Sequence, residues 1–336
     1  MNTNLERVAA KARKETNLKF SSLAHHISKE LIWESLAWMS KYTVPYIDQE
    51  LVERVQYEFD LWIEELIESI HLKSYKPPAV RRVWMSNQCK PEKQSIGVNT
   101  IVDRALQRST AEVLSAIYEQ DFLNCSFGGR PGRGIHNALA TLNEIRAGEK
   151  VCWVLEVELK NFSKSVDDQW MLEFVQHRVR DPRIISMINR WLKVGVMKTG
   201  EIQASKVGTI QGGWINVLLS NIYLHYVLDL WFEKTVKPRL KGEASLIRYI
   251  DDFIVCFQYY SDAKRFHETL KKRLQKFALT LEPKKTRLVE FGHFATKPAK
   301  ERGKKVRDDI FFSVSPSIAV AIKKDMSTEL VSSCQL

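Results

Sequence analysis

The chain has 336 residues, 44% of them hydrophobic and 27% charged, a balance that can bury a substantial core and excludes a disordered chain. With 51 Lys+Arg against 40 Asp+Glu the net charge is +11, which favours polyanionic partners because basic side chains on a phosphate backbone release condensed counterions; an ordinary basic protein is the alternative. Cys89, Cys125, Cys152, Cys256 and Cys334 contain no C-x-x-C pair, which excludes a zinc signature and a disulfide framework; with a polar N-terminus lacking a signal-peptide core, this points to a reduced cytoplasm.

Residues 20–71 read as helices. Ser21 or Ser22 can cap a segment with Leu23, Ile27 and Leu31 on one stripe, and a second helix runs from Asp48 to Ile70. His25 and His26 lie here without other ligand-type residues, so they read as ordinary surface or core histidines. Lys76-Pro77-Pro78 breaks the pattern and an extended stretch, Val80 to Met85, follows. Helix returns from Thr100 to Glu119. Cys125 to Gly134 is a loop rich in glycine and arginine, followed by a helix from Ile135 to Ile145.

Val151 to Leu159 alternates and is β-branched, predicting a strand, with helices from Asp167 and over Ile184–Val194. Trp214 to Phe232 is the most apolar stretch and reads as a helix. Asn216, Asn221, His225 and Asp229 interrupt it and make it too polar to span a membrane. Leu246–Ile250 and Phe253–Phe257 are short apolar strands flanking Asp251-Asp252. The helix over Ser261–Phe277 gathers Phe266, Leu270, Leu274 and Phe277 on one face.

Asp251-Asp252 between two strands belongs at a hairpin tip. Two adjacent carboxylates repel there, and a divalent cation relieves the repulsion; a simple acidic turn is the competing reading. Mg²⁺ is held by one or two carboxylates plus substrate phosphates, the arrangement of two-metal phosphoryl transfer. A third carboxylate on a separate strand completes such a site, and Glu158 supplies one. Gly208–Gly213 is a glycine turn that lets backbone approach a substrate, and Lys285 in Leu281–Thr286 offers a proton for leaving pyrophosphate after a strand.

The order of these motifs resembles the bacterial group II intron-encoded reverse transcriptases. The likeness runs from about residue 5 to residue 303 and includes Val98–Gln107, EQDFLNCSFGGRPGRG, NIYLHYV, Tyr249-Ile250-Asp251-Asp252 and TRLVEFG. It implies an α+β right-hand polymerase: fingers and a palm whose antiparallel sheet is backed by helices, over residues 73–295. A helical N-terminal extension over 1–72 precedes it. It further implies RNA-templated DNA synthesis from deoxynucleoside triphosphates on a DNA primer, with Mg²⁺, in a family that often also binds its own intron RNA as a maturase.

Carried onto this chain, the resemblance makes Glu158, Asp251 and Asp252 the metal ligands and Lys285 the residue facing the triphosphate. Lys93, Phe162, Ser163, Gln211, Gly212 and Tyr249 line the nucleotide. Arg104, Arg130 and Arg133 are candidates for template or phosphate contact, structural pairing being the alternative.

Several positions depart from the family. Its first aspartate is Glu158, whose extra methylene shifts the carboxylate by about 1 Å, an error that costs on the order of 10²-fold in rate. The aromatic that bars a ribose 2′-hydroxyl is Ser163, so poor discrimination against ribonucleotides is expected. Basic fingers positions are Asn87 and Gln94, the Pro-Gln-Gly turn is Ile210-Gln211-Gly212, and Lys164 replaces an acid. These changes predict an impaired polymerase, the alternatives being a non-catalytic RNA-binding splicing cofactor or a decayed fragment. Residues 296–336 read as a truncated tail in place of a thumb. Phe312–Pro316 regrouped in the neighbouring frame gives Phe-Leu-Gly-Phe-Thr, so a frameshift near Lys304-Lys305 is expected.

Overall fold

A computed structural model of the chain describes residues 3–42, 48–78, 81–87, 90–194, 214–291, 293–295, 309–315, 318–323 and 328–332. It is α+β and divides into two discontinuous compact units, residues 1–122 with 168–222 and residues 123–167 with 223–336.

The first unit is mainly helical. It contains α1 (Thr3–Lys14), α2 (Lys29–Tyr42), α3 (Asp48–Tyr57), α4 (Phe59–His71), the hairpin β1 (Arg81–Asn87) and β2 (Lys90–Val98), α5 (Ile101–Tyr118), α8 (Asp168–Gln176), α9 (Pro182–Lys193) and all but the last two residues of α10 (Trp214–Leu224). Thr100 caps α5 by accepting from the Asp103 N–H, and α5 is apolar enough to be buried along most of its length.

Two sequence expectations change here. No helix starts at Ser21 or Ser22. The N–H groups of Leu23 and Ala24 instead donate to the Asp181 carboxylate at 2.6 and 2.9 Å, Ala24–His26 form a single 3₁₀ turn, and α2 begins after Ser28. Asp181 also caps α9 and pairs with Arg183, so a carboxylate some 158 residues away outbids the local serines. The expected helix over residues 48–70 is two helices that meet at Glu58, where α3 ends and α4 starts.

The second unit is built on a four-stranded antiparallel sheet in the order β4-β5-β3-β6, with β3 Trp153–Glu158, β4 Ala244–Tyr249, β5 Asp252–Phe257 and β6 Arg287–Glu290. Strand alternation sends Val154, Ile247, Ile254 and Cys256 to one face, where α6 (Ile135–Gly148) covers them with Ala138 and Leu142. The other face carries Phe257, against which Phe266 of α11 (Tyr260–Lys276) packs at 5.4 Å between ring centroids, and Phe266 also meets Phe232 edge-on at 5.7 Å. Truncating the fully buried Phe266 to alanine is expected to cost about 3–5 kcal/mol.

The expected helix to Phe232 is α-helical only to Leu224 and continues as two π-helical turns, His225–Asp229 and Phe232–Val236. A short helix, α7 (Phe162–Ser165), follows β3. The tail from Asp309 carries a three-stranded antiparallel meander, β7 (Asp309–Ser315), β8 (Ile318–Lys323) and β9 (Thr328–Ser332).

Candidate active site

The turn between β4 and β5 is as short as a hairpin allows. Tyr249 pairs with Asp252, which leaves Ile250 and Asp251 as the two loop residues. Ile250 has φ +59°, a conformation that costs a β-branched residue of the order of 1–3 kcal/mol and survives only where surroundings over-determine it. Two neighbours do so. Gly128 seats against the turn so tightly that a Cβ there would lie 2.7 Å from Ile250 Cγ1 and 2.8 Å from its backbone N. Arg248, fully buried on β4, donates from Nη1 to the Ile250 carbonyl at 2.8 Å.

The same register places Glu158, at the end of β3, directly across from Asp252, so the two side chains share a face at the turn. Burial pushes the Asp251 carboxyl up to about 6, Glu158's charge adds to the rise, and Arg248 and Lys285 counter it. Lys285 lies in the loop before β6, not after a strand as expected. That loop is tied to the end of β3 by the Glu282 N–H bonded to the Glu158 carbonyl at 2.9 Å and by the bridge between Leu159 and Leu281. Its Nζ sits 2.9 and 2.8 Å from the two Glu158 carboxylate oxygens.

Among the described residues no three carboxylate, histidine or cysteine side chains are gathered closely enough to enclose a metal ion. What is gathered is a pair, Asp251 and Glu158, with the Glu158 charge raising the cost of ionising Asp251 and the Lys285 ammonium bound to Glu158 and half-exposed. Hard oxygen donors on neighbouring carboxylates fit a Mg²⁺ ion, which takes one or two carboxylates and completes its shell with substrate.

Of the other expected residues, Tyr249 is half-buried and its ring edge abuts Gly128. The Phe162 ring is buried edge-on to Tyr223, 6.3 Å between centroids, while Ser163 is half-exposed beside it. Lys93 is on β2 with its backbone opposite Ser86, and Arg104 is half-buried on α5, both in the first unit. Gln211 and Gly212 lie outside the described residues. Arg130 donates to the carbonyls of Leu123 and Ser126 at 2.9 Å each, and Arg133 to Asn124 while lying over the Phe127 ring. The loop that carries them turns at Gly129 and Gly132, whose φ values of 67° and 68° suit glycine.

Sequence reasoning passed over Gly128, Ser126, Arg248 and Asp229. The signal was present in part: Asp229 interrupts the most apolar stretch of the chain, and a buried acid there demands a cation.

The reverse transcriptase (RNA-dependent DNA polymerase) family matches over residues 87–316, a span that contains the whole four-stranded sheet and β7. The group II intron-encoded protein LtrA of Lactococcus lactis subsp. cremoris is 27% identical over 216 residues, covering 62% of this chain and 34% of LtrA. Protein YkfC of Escherichia coli (strain K12) is 30% identical over 233 residues, 61% of this chain and 60% of YkfC. An uncharacterized 91 kDa protein in the cob intron of Schizosaccharomyces pombe is 30% identical over 172 residues, 51% of this chain and 21% of that protein. The chain thus spans less than two thirds of each of these relatives.

Proposed function

Because the chain belongs to the reverse transcriptase (RNA-dependent DNA polymerase) family and is a group II intron-type member of it, we propose that it extends a DNA primer on an RNA template. One observation carries the reading. The family's acidic turn is built here at a hairpin tip with its strain supported on two sides, and a third carboxylate stands across from it in register.

The geometry supports the following roles. Asp251 and Glu158, with Asp252 opposite Glu158 joining them on the resemblance, would hold Mg²⁺, which when bound would neutralise phosphate charge and clamp attacking and leaving oxygens in line. Asp251 must be ionised to serve, so its raised affinity for protons is relieved when a cation shares the site. Lys285 reaches the same carboxylate cluster from the β6 side, where its ammonium can pass from Glu158 to an incoming triphosphate and donate a proton to the departing pyrophosphate. Glu158 is therefore bound by two claims, metal and lysine, and its extra methylene suits the lysine. This supports a weakened polymerase. Gln211, Gly212 and Lys93 keep their nucleotide roles, and Arg104, Arg130 and Arg133 their nucleic-acid roles, on the resemblance alone.

The sheet unit is read as palm and the β1–β2 hairpin as fingers, within residues 73–295. Residues 1–72 are read as an N-terminal extension and 296–336 as an altered tail, which sequencing the gene in the neighbouring frame tests. Intron RNA is the favoured template. No helix among the described residues is long and apolar enough to cross a membrane, and Cys125, Cys152 and Cys256 are free thiols, in keeping with a cytoplasmic setting. The test is incorporation of deoxynucleotides on an RNA template with Mg²⁺. No incorporation at any concentration, with salt-sensitive RNA binding retained, would favour a splicing cofactor.

A further inference from the structure

A charged side chain on a sheet strand normally faces water, yet Arg248 and Asp229 are both fully buried. Arg248 grips the carboxylate with a two-pronged fork, Nε to Oδ1 at 2.8 Å and Nη2 to Oδ2 at 2.6 Å. The guanidinium has further donors, and they are not spent on Asp229. Nη2 also donates to the Ser126 hydroxyl at 2.8 Å, and Nη1 to the Ile250 carbonyl. The Arg248 backbone completes the junction, its N–H donating to the Cys125 carbonyl at 2.7 Å and its carbonyl accepting from the Phe127 N–H at 2.9 Å. One residue therefore joins three elements: the acidic turn, the loop containing Gly128, and the π-helical turn that ends at Asp229.

Stability alone is a poor explanation for such a pair. Taking two charges out of water costs about as much as their attraction returns, and apolar replacements of similar volume are often neutral or better. What an apolar pair cannot reproduce is the bond to the Ile250 carbonyl. That bond acts on the one peptide that fixes where Asp251 points, in a residue whose positive φ would otherwise relax. The π-helical turn matters for the same reason, since the wider turn is a device found at functional sites.

We propose that Arg248, held by Asp229, is a positioning residue for Asp251: its guanidinium locks the strained Ile250 peptide and so sets the carboxylate in the place where it binds a divalent cation. The idea rests on the polymerase reading for its turnover measurement and stands apart from it in its metal measurement. Outer residues of this kind typically change metal affinity or activity by about 10–100-fold.

The experiment compares wild type with Arg248→Lys and with Arg248→Met/Asp229→Leu. Each is measured for thermal melting, for Mn²⁺ affinity by electron paramagnetic resonance, and for kcat and KM in primer extension. Lysine keeps the charge opposite Asp229 but has no second arm for the Ile250 carbonyl; the double variant removes both charges. Folded variants are expected to bind Mn²⁺ about 10–100-fold more weakly and to lose kcat by a similar factor, with KM for the nucleotide little changed. A folded variant with wild-type Mn²⁺ affinity and kcat overturns the proposal. If both variants fail to fold, the pair serves stability alone, which also overturns it. Weakened Mn²⁺ binding in a chain whose wild type never extends a primer would sustain the positioning role and sink the polymerase reading instead.

Discussion

Lys285 Nζ lies within 3 Å of both carboxylate oxygens of Glu158, at 2.9 and 2.8 Å, so the residue that replaces the family's aspartate is engaged by a cation the protein itself provides. The longer side chain reaches the lysine from β3, and a shorter one would draw the carboxylate back towards the strand and away from the lysine. Glu158→Asp is therefore expected to raise primer extension, by up to about 10²-fold if the methylene misplaces the carboxylate by an ångström. Steady-state kcat of the two proteins decides it; an unchanged or lower kcat means that glutamate is the residue this site needs.

Asp251→Asn should separate stability from activity. Burial pushes the Asp251 carboxyl up to about 6 from the ordinary 3.8, so holding it ionised at neutral pH costs the folded state stability. Removing the charge is expected to stabilise the fold by about 1–2 kcal/mol, allowing for partial solvent contact, while abolishing incorporation. Melting and primer extension on the same preparation give the answer.

Gly128→Ala should damage the turn from outside. The added Cβ meets Ile250 Cγ1 at 2.7 Å and the Ile250 backbone N at 2.8 Å, and a backbone atom cannot step aside as a flexible side-chain end can. A loss of about 1–3 kcal/mol is expected, together with a fall in kcat larger than that stability loss explains at the assay temperature. Chemical denaturation and extension assays measure the two effects.

Ser163→Phe should sharpen sugar selection. Ser163 is half-exposed at the start of α7, next to the buried Phe162 ring, so a ring at position 163 has open space to occupy. The ratio of deoxynucleotide to ribonucleotide incorporation is expected to rise by roughly 10–10²-fold. Competition assays with matched nucleotides read that ratio directly.

Asp181 offers a pH signature in the first unit. Burial alone would raise its carboxyl, but donors from Arg183 and from the Leu23, Ala24 and Arg183 N–H groups outweigh it and hold the group at about 2, against 3.8 unperturbed. A depressed pKa contributes stability that is complete above the unperturbed value and is lost as pH falls from 3.8 towards about 2. Asp181→Asn should cost about 1–3 kcal/mol at neutral pH and flatten this acid limb, which circular dichroism against pH would show.

The hairpin and the carboxylates could be read from the chain because the signals are local. Two short apolar runs, Leu246–Ile250 and Phe253–Phe257, mark β4 and β5, and the aspartates between them mark the tip to within a residue: Ile250 and Asp251 form it, and Asp252 opens β5. The start of α2 could not, because the Leu23 and Ala24 N–H groups are taken by Asp181, far away in sequence. The break at Glu58 and the π-helical turns after Leu224 are shifts of hydrogen-bond spacing inside helical patterns, and residue periodicity scarcely changes there. For Arg130 and Arg133 the sequence leaves phosphate contact and structural pairing open, and only the fold shows that their guanidinium groups donate to carbonyls of their own loop. Arg248 looked like one basic residue among many, because only the fold reveals that Asp229, Ser126 and Ile250 converge on it.

The most direct test of the account is primer extension on a defined RNA template with Mg²⁺, wild type against Asp251→Ala/Asp252→Ala. Slow, template-directed deoxynucleotide incorporation is expected from the wild type and none from the double variant. Incorporation that survives the double substitution, or a wild type that binds RNA in a salt-sensitive way yet never extends the primer, would contradict it.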